Sequence, residues 1–147
     1  MEIKIKKFTE LTNIELYEIL KARAEVFVVE QEILYNDMDY KDYKSYHLMA
    51  KENGKIIGYL RIIEAGISYD TISLGRVLVL KSERKRKIGR KMLEKAIDYV
   101  KNELKEKKIT ISAQFYLKEF YESLGFQAIT NMYIEEGIEH IKMKLNF

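Results

Sequence analysis

The sequence predicts an α+β protein with helices on both faces of a mixed, mostly antiparallel sheet. Three observations predict it. Asn53-Gly54 lies between two apolar runs, residues 47–51 and 55–64, and this dipeptide favours the tight turn of an antiparallel hairpin. Residues 72–113 read as strand, long helix, strand, an order that joins parallel neighbours by a right-handed crossover. Two further strands, residues 126–134 and 139–145, close the chain around Gly137.

Each element has its own signal. Residues 3–7 alternate well enough for a first strand. Thr12 and Glu15 have the spacing of a capping box, and Leu16, Ile19, Leu20, Ala24 and Phe27 then recur at helical intervals to about Val28. Residues 30–46 are acidic and tyrosine-rich and read as a loop with a short helical turn. A turn at 66–70 precedes a buried strand over 72–80. Ile88, Met92, Ala96, Val100 and Leu104 stand four apart and define the long helix. Residues 109–113 form the next strand. Leu117, Phe120, Tyr121 and Leu124 mark a short helix that Gly125 stops.

Length and composition bound the function. A chain of 147 residues, 47% hydrophobic and 33% charged, is sized for one domain, residues 1–147, with a core of its own. No proline, Gly/Ser tract or repeat divides it. The absence of cysteine excludes disulfides, thiolate metal sites and a cysteine nucleophile. Only His47 and His140 are available as imidazole ligands, so no metal is expected. No apolar run approaches a membrane span, and charges occupy the N-terminus where a signal peptide needs an apolar core. The expectation is a cytoplasmic protein without a membrane partner.

Charge is uneven. There are 26 basic and 23 acidic residues, a net +3. Residues 81–91 hold seven basic side chains and one acidic, and residues 30–42 hold five acidic and one basic. Two oppositely charged patches suggest two binding surfaces. The basic one, Arg84-Lys85-Arg86-Lys87-Ile88-Gly89-Arg90, falls between a buried strand and a helix N-terminus. Free backbone N–H groups and the helix dipole favour an anion there, and Gly89 lets a ligand approach the backbone. This is the chemistry of a pyrophosphate site. The rest of the chain is net negative and carries no nucleic-acid-binding motif, so no nucleic-acid partner is expected.

The stretch from Arg84 to Arg90 resembles motif A of the GNAT (GCN5-related N-acetyltransferase) superfamily, R/Q-x-x-G-x-G/A, with Lys87 where the family usually has its first glycine. Phe27 to Gln31, Asp37-x-Asp39, Gly75 to Val79, Ala113-Gln114, Phe120-Tyr121-x-x-x-Gly125-Phe126 and Gly137-x-x-His140-Ile141-x-Met143 extend the resemblance to the ElaA-like subgroup over essentially the whole chain. The resemblance implies the acyl-CoA N-acyltransferase fold, in which the parallel fourth and fifth strands splay apart around acetyl-CoA. It implies that Val77, Leu78 and Val79 offer backbone groups to the pantetheine arm. By the same likeness Arg84, Lys85, Arg86, Lys87, Ile88, Gly89 and Arg90 form the pyrophosphate loop. Tyr121 matches the tyrosine that protonates the departing thiolate. Glu30, Asp37, Asp39 and His140 lie in subgroup motifs and are candidate general bases, each acting through a water. Gln31, Asp37 and Asp39 are candidate acceptor contacts, and their acidic surroundings suggest a cationic amine.

Direct acyl transfer needs no enzyme nucleophile, because the thioester is already activated, which suits a chain without cysteine. The implied activity is transfer of an acetyl group from acetyl-CoA to an amine of a small molecule or peptide. The other reading is a non-catalytic module that binds acyl-CoA and senses it. Arg23, Arg61 and Arg76 have no assigned partner in the sequence; an arginine inside an apolar strand, as Arg76 is, calls for an acidic one. The edges of the terminal strands leave a monomer and a homodimer both open.

Overall fold

Alternation along the strands sets the layers. In the computed structural model, which describes all 147 residues, β1 (Glu2–Lys7), β2 (Ser45–Glu52), β3 (Lys55–Ile63) and β4 (Ile72–Val79) pair antiparallel in that order. Leu48 faces Leu60 and Met49 faces Tyr59 across β2 and β3, and neighbours along a strand point to opposite sides. Met49, Tyr59 and Leu78 therefore pack on one face against Ile19 and Ala22 of α1 (Asn13–Arg23). Leu48, Leu60 and Ile62 pack on the other against Ile88, Met92, Leu93 and Ala96 of α2 (Ile88–Asn102). Gly58 permits this second contact, since a Cβ there would lie 2.5 Å from the Met92 sulfur.

The helix starts as its sequence predicts: the Thr12 hydroxyl accepts from the Glu15 N–H at 3.0 Å, and Glu15 accepts from the Thr12 N–H at 2.9 Å. It does not run to Val28 as an α-helix. From Ala24 to Glu30 the chain widens into a π-helix. In this wider winding Val26 is buried against the sheet while Phe27 stays half-buried.

The second half completes the sheet with β5 (Lys108–Gln114), a short α3 (Lys118–Glu122) and β8 (Ile138–Asn146). The expected strand over 126–134 is instead two fragments, β6 (Gln127–Ala128) and β7 (Tyr133–Glu135), both on β8. Between them the Thr130 hydroxyl accepts from the Lys142 N–H at 3.1 Å, so a side chain takes the place of a backbone rung. The sheet order is β1-β2-β3-β4-β5-β8-β6, with β7 also on β8.

The decisive junction is β4 with β5. They pair in parallel only at Ile72 with Ile109 and Ser73 with Thr110. Beyond that point β4 follows β3 through a bulge, where Arg76 and Val77 together oppose Leu60 and Arg76 adopts φ +49°. β5 follows β8 over its whole length. The two strands separate, and the sheet opens in its middle. No helix is long and apolar enough to cross a membrane.

Candidate active site

The gap between β4 and β5 is a cleft of about 780 Å³. Val77, Leu78 and Val79 form one wall, with Gly89 and Arg90 from the first turn of α2. Glu30 and Gln31 reach it from the end of the π-helix, and Tyr121 and His140 from the far side. Most residues singled out in the sequence therefore meet at one place.

The α2 end is built to receive an anion. Lys87 precedes the helix in the left-handed conformation, φ +57°, the geometry a glycine at this position of the motif would supply. No side chain caps the helix, so the N–H groups of its first turn are left for a ligand beside Lys87 and Arg90. Arg84 also lines the cleft, with three of its five N–H donors engaged: Nε donates to the Val79 carbonyl at 2.9 Å, and the two Nη donate to Glu30 at 2.5 and 2.8 Å. Three loop residues fall outside. Arg86 turns away to Glu52 and Glu83, both at 2.6 Å, Lys85 does not line the cleft, and the Ile88 side chain is 2% exposed in the core. Opposite charge nearby and helical burial, respectively, decide the positions of Arg86 and Ile88.

Three of the candidates for proton transfer line the cleft. The Tyr121 ring is gripped edge-on by Phe120 and Phe126, at 5.4 and 5.7 Å, and its residue lines the cleft. Burial, with Tyr116 adding to it, holds its phenol neutral well above the usual range. The His140 Nδ1–H donates to the Ile138 carbonyl at 2.8 Å, which in the neutral ring leaves the lone pair on Nε2. Nε2 stands 3.9 Å from a Glu135 carboxylate oxygen that also accepts from the Ser112 hydroxyl at 2.8 Å. Tyr133 hydrogen-bonds to the same Ser112 oxygen. Glu30 differs: its hydrogen bonds from Arg84 hold its carboxyl below the usual carboxylate range, which makes it a weak base. Nothing in the sequence placed Glu135, Ser112 and Tyr133 beside His140, because only strand pairing brings them there.

Asp37 and Asp39 do not offer free carboxylates to an acceptor, as the acidic segment suggested. Asp37 accepts from Arg23 Nε at 2.8 Å and Arg76 Nε at 2.7 Å, and Asp39 accepts from Arg61 at 2.6 and 2.8 Å. Asp42 joins Arg23 to Arg61, at 2.6 and 2.9 Å, and their attraction keeps its carboxyl low against the upward push of burial. Neither Asp37 nor Asp39 lines the cleft, whereas Arg61 and Arg76 do. Three arginines neutralise three aspartates, so the basis for expecting a cationic acceptor is gone.

Residues 12–147 match the model of the Acetyltransferase (GNAT) domain. The chain belongs to the GNAT family. This GNAT protein is 39% identical over 147 residues to a UPF0039 protein of Schizosaccharomyces pombe, across 99% of this chain and 97% of that one. Its fold superposes on an acyl-CoA N-acyltransferase from Pseudomonas aeruginosa with a TM-score of 0.93 and 33% identity, covering 99% of both chains. Escherichia coli ElaA superposes with the same TM-score at 31% identity, again over 99% of each chain. The likeness to the ElaA-like subgroup holds along the whole chain. The splayed β4–β5 pair is the GNAT arrangement, and this chain is a GNAT-type acyltransferase.

Proposed function

We propose that this GNAT protein takes an acetyl group from acetyl-CoA and transfers it directly to an amine. The observation that carries the reading is that the uncapped start of α2, Tyr121 and His140 all face one cleft. The α2 N–H groups with Lys87 and Arg90 suit a pyrophosphate, and the open edge of β4 at Val77–Val79 suits a pantetheine arm. The acyl group is supplied as an activated thioester.

In this reading His140 Nε2, directly or through a water, accepts the proton that the amine loses as its nitrogen attacks the thioester carbonyl. The C–N bond forms, the C–S bond breaks, and the Tyr121 phenol gives its proton to the leaving sulfur. Glu135 faces the imidazolium that results. Glu30, tied to Arg84, serves the loop rather than the proton. Gln31 lines the same cleft and is an acceptor contact in this reading.

Thiol release from acetyl-CoA against a panel of amines, amino acids and peptides tests the reading. Release above the acceptor-free blank is the expected result, and none with any member would sink it. Tyr121→Phe keeps the packed ring, so turnover should fall about 10²-fold with both Michaelis constants little changed. Full turnover in this variant would remove Tyr121 from the chemistry.

A further inference from the structure

Arg61 has more donors than the protein uses. It is 2% exposed, and the end of its guanidinium is occupied: Nη1 donates to Asp39 and Asp42, and Nη2 to the second Asp39 oxygen. The side edge is different. Nε–H, which shares that edge with Nη2, is the one buried side-chain donor that meets no acceptor in the protein. Buried donors are nearly always paired, and a planar guanidinium edge of this kind matches the two oxygens of a carboxylate.

Gly75 pairs with Arg61 across β3 and β4, so a side chain there would lie over the same edge. A Cβ at Gly75 would stand 3.9 Å from Nε and 3.8 Å from Ile63 Cδ1, both ordinary contacts, and the backbone is not left-handed. Packing does not require glycine here. Both residues line the cleft, and glycine places no side chain over the buried Nε.

Charge points the same way. The three arginines of the cluster are matched by three aspartates, while Lys41, on the same stretch of cleft, hydrogen-bonds to the Ser68 hydroxyl at 2.9 Å rather than to a carboxylate. One positive charge is left over. Glu135 and Glu136 line the cleft beside His140, where the amine belongs.

We propose that the acceptor is an amino acid, an amine that also bears a carboxylate, and that the carboxylate accepts from Arg61 Nε and Nη2 beneath Gly75. The inference rests on the acetyltransferase reading and names its acceptor class.

The test uses acetyl-CoA and the common amino acids, each compared with its amide. The acid of the best pair should have at least tenfold higher kcat/KM than the amide. Gly75→Ala should erase the difference by raising the KM of the acid tenfold or more, with the KM of the amide and of acetyl-CoA unmoved. Equal rates for acid and amide, or a ratio that survives Gly75→Ala, overturn the inference while leaving acetyl transfer standing. If no amine gives thiol release, the functional reading falls and the acceptor role with it, and binding then decides whether the Arg61 edge takes a carboxylate. N-acetyl amino acids, with CoA present, should then raise the melting temperature of the wild type more than that of Gly75→Ala. Their amides should raise neither, and equal shifts for acids and amides overturn it.

Discussion

Lys87 holds a conformation that its side chain resists. An L-residue in the left-handed region is strained by about 1–2 kcal/mol, and glycine gives back about 0.5–1 kcal/mol of that through the flexibility of the unfolded chain. Lys87→Gly should therefore raise stability by roughly 0.5 kcal/mol, a gain of about 1–2 °C in Tm for a chain of this size. The same change removes a cation from the mouth of the cleft, so affinity for CoA should fall. Calorimetry on the free and CoA-bound variant checks both signs. A variant that bound CoA as tightly as the wild type would show that Lys87 serves only the turn. The lysine was visible in the sequence as a departure from motif A; that the departure keeps the turn geometry was visible only in the backbone angles.

The start of α1 is an ionic junction between three elements. Glu15 closes the capping box and also accepts from Lys6 of β1 at 3.0 Å and Lys51 of β2 at 2.9 Å. Burial works against the carboxylate, yet the Thr12 N–H and the two lysines bring its pKa down from 4.5 to about 2. A depressed acid contributes stability that is full above its unfolded pKa and is lost as pH falls through the folded one. The contribution is roughly 3 kcal/mol at neutral pH, fading between about pH 4.5 and pH 2. Denaturant melts of Glu15→Gln should show a deficit of that order at pH 7 that closes toward pH 2. A deficit that is constant with pH would assign it to packing instead. The T-x-x-E spacing announced the cap, but Lys6 and Lys51 lie nine and thirty-six residues away, and only the β1–β2 pairing delivers them.

Across the whole molecule, charges that look alike in the sequence have different tasks. Seven basic residues crowd 81–91, but Arg84 anchors the cleft wall while Arg86 closes an ion pair to the end of β2. A ligand that binds only the folded state stabilises it by about 2.7 kcal/mol at a hundredfold excess over Kd, or roughly 5–10 °C here. CoA should give the wild type such a shift, and Arg86→Ala should keep it. Arg84→Ala should lose much of it. Equal losses in the two variants would mean that the loop acts as a diffuse charge and not as a built site.

What the sequence determined by itself was local or periodic: the capping box at Thr12, the Asn53-Gly54 hairpin, the four-residue stripe of α2, the basic turn before it and the motif that carries the GNAT likeness. Each depends on residues within a few positions of one another, where spacing translates directly into geometry. The partners of charged groups do not. Asp37 and Asp39 read as a patch awaiting a cation, and the fold had already supplied one from Arg23, Arg61 and Arg76. The residues flanking His140 and the bare edge of Arg61 likewise exist only after β3 has paired with β4, and β5 and β7 with β8. A charge in a low-dielectric interior must be met wherever it lies, and which group meets it is settled by strand register rather than by distance along the chain.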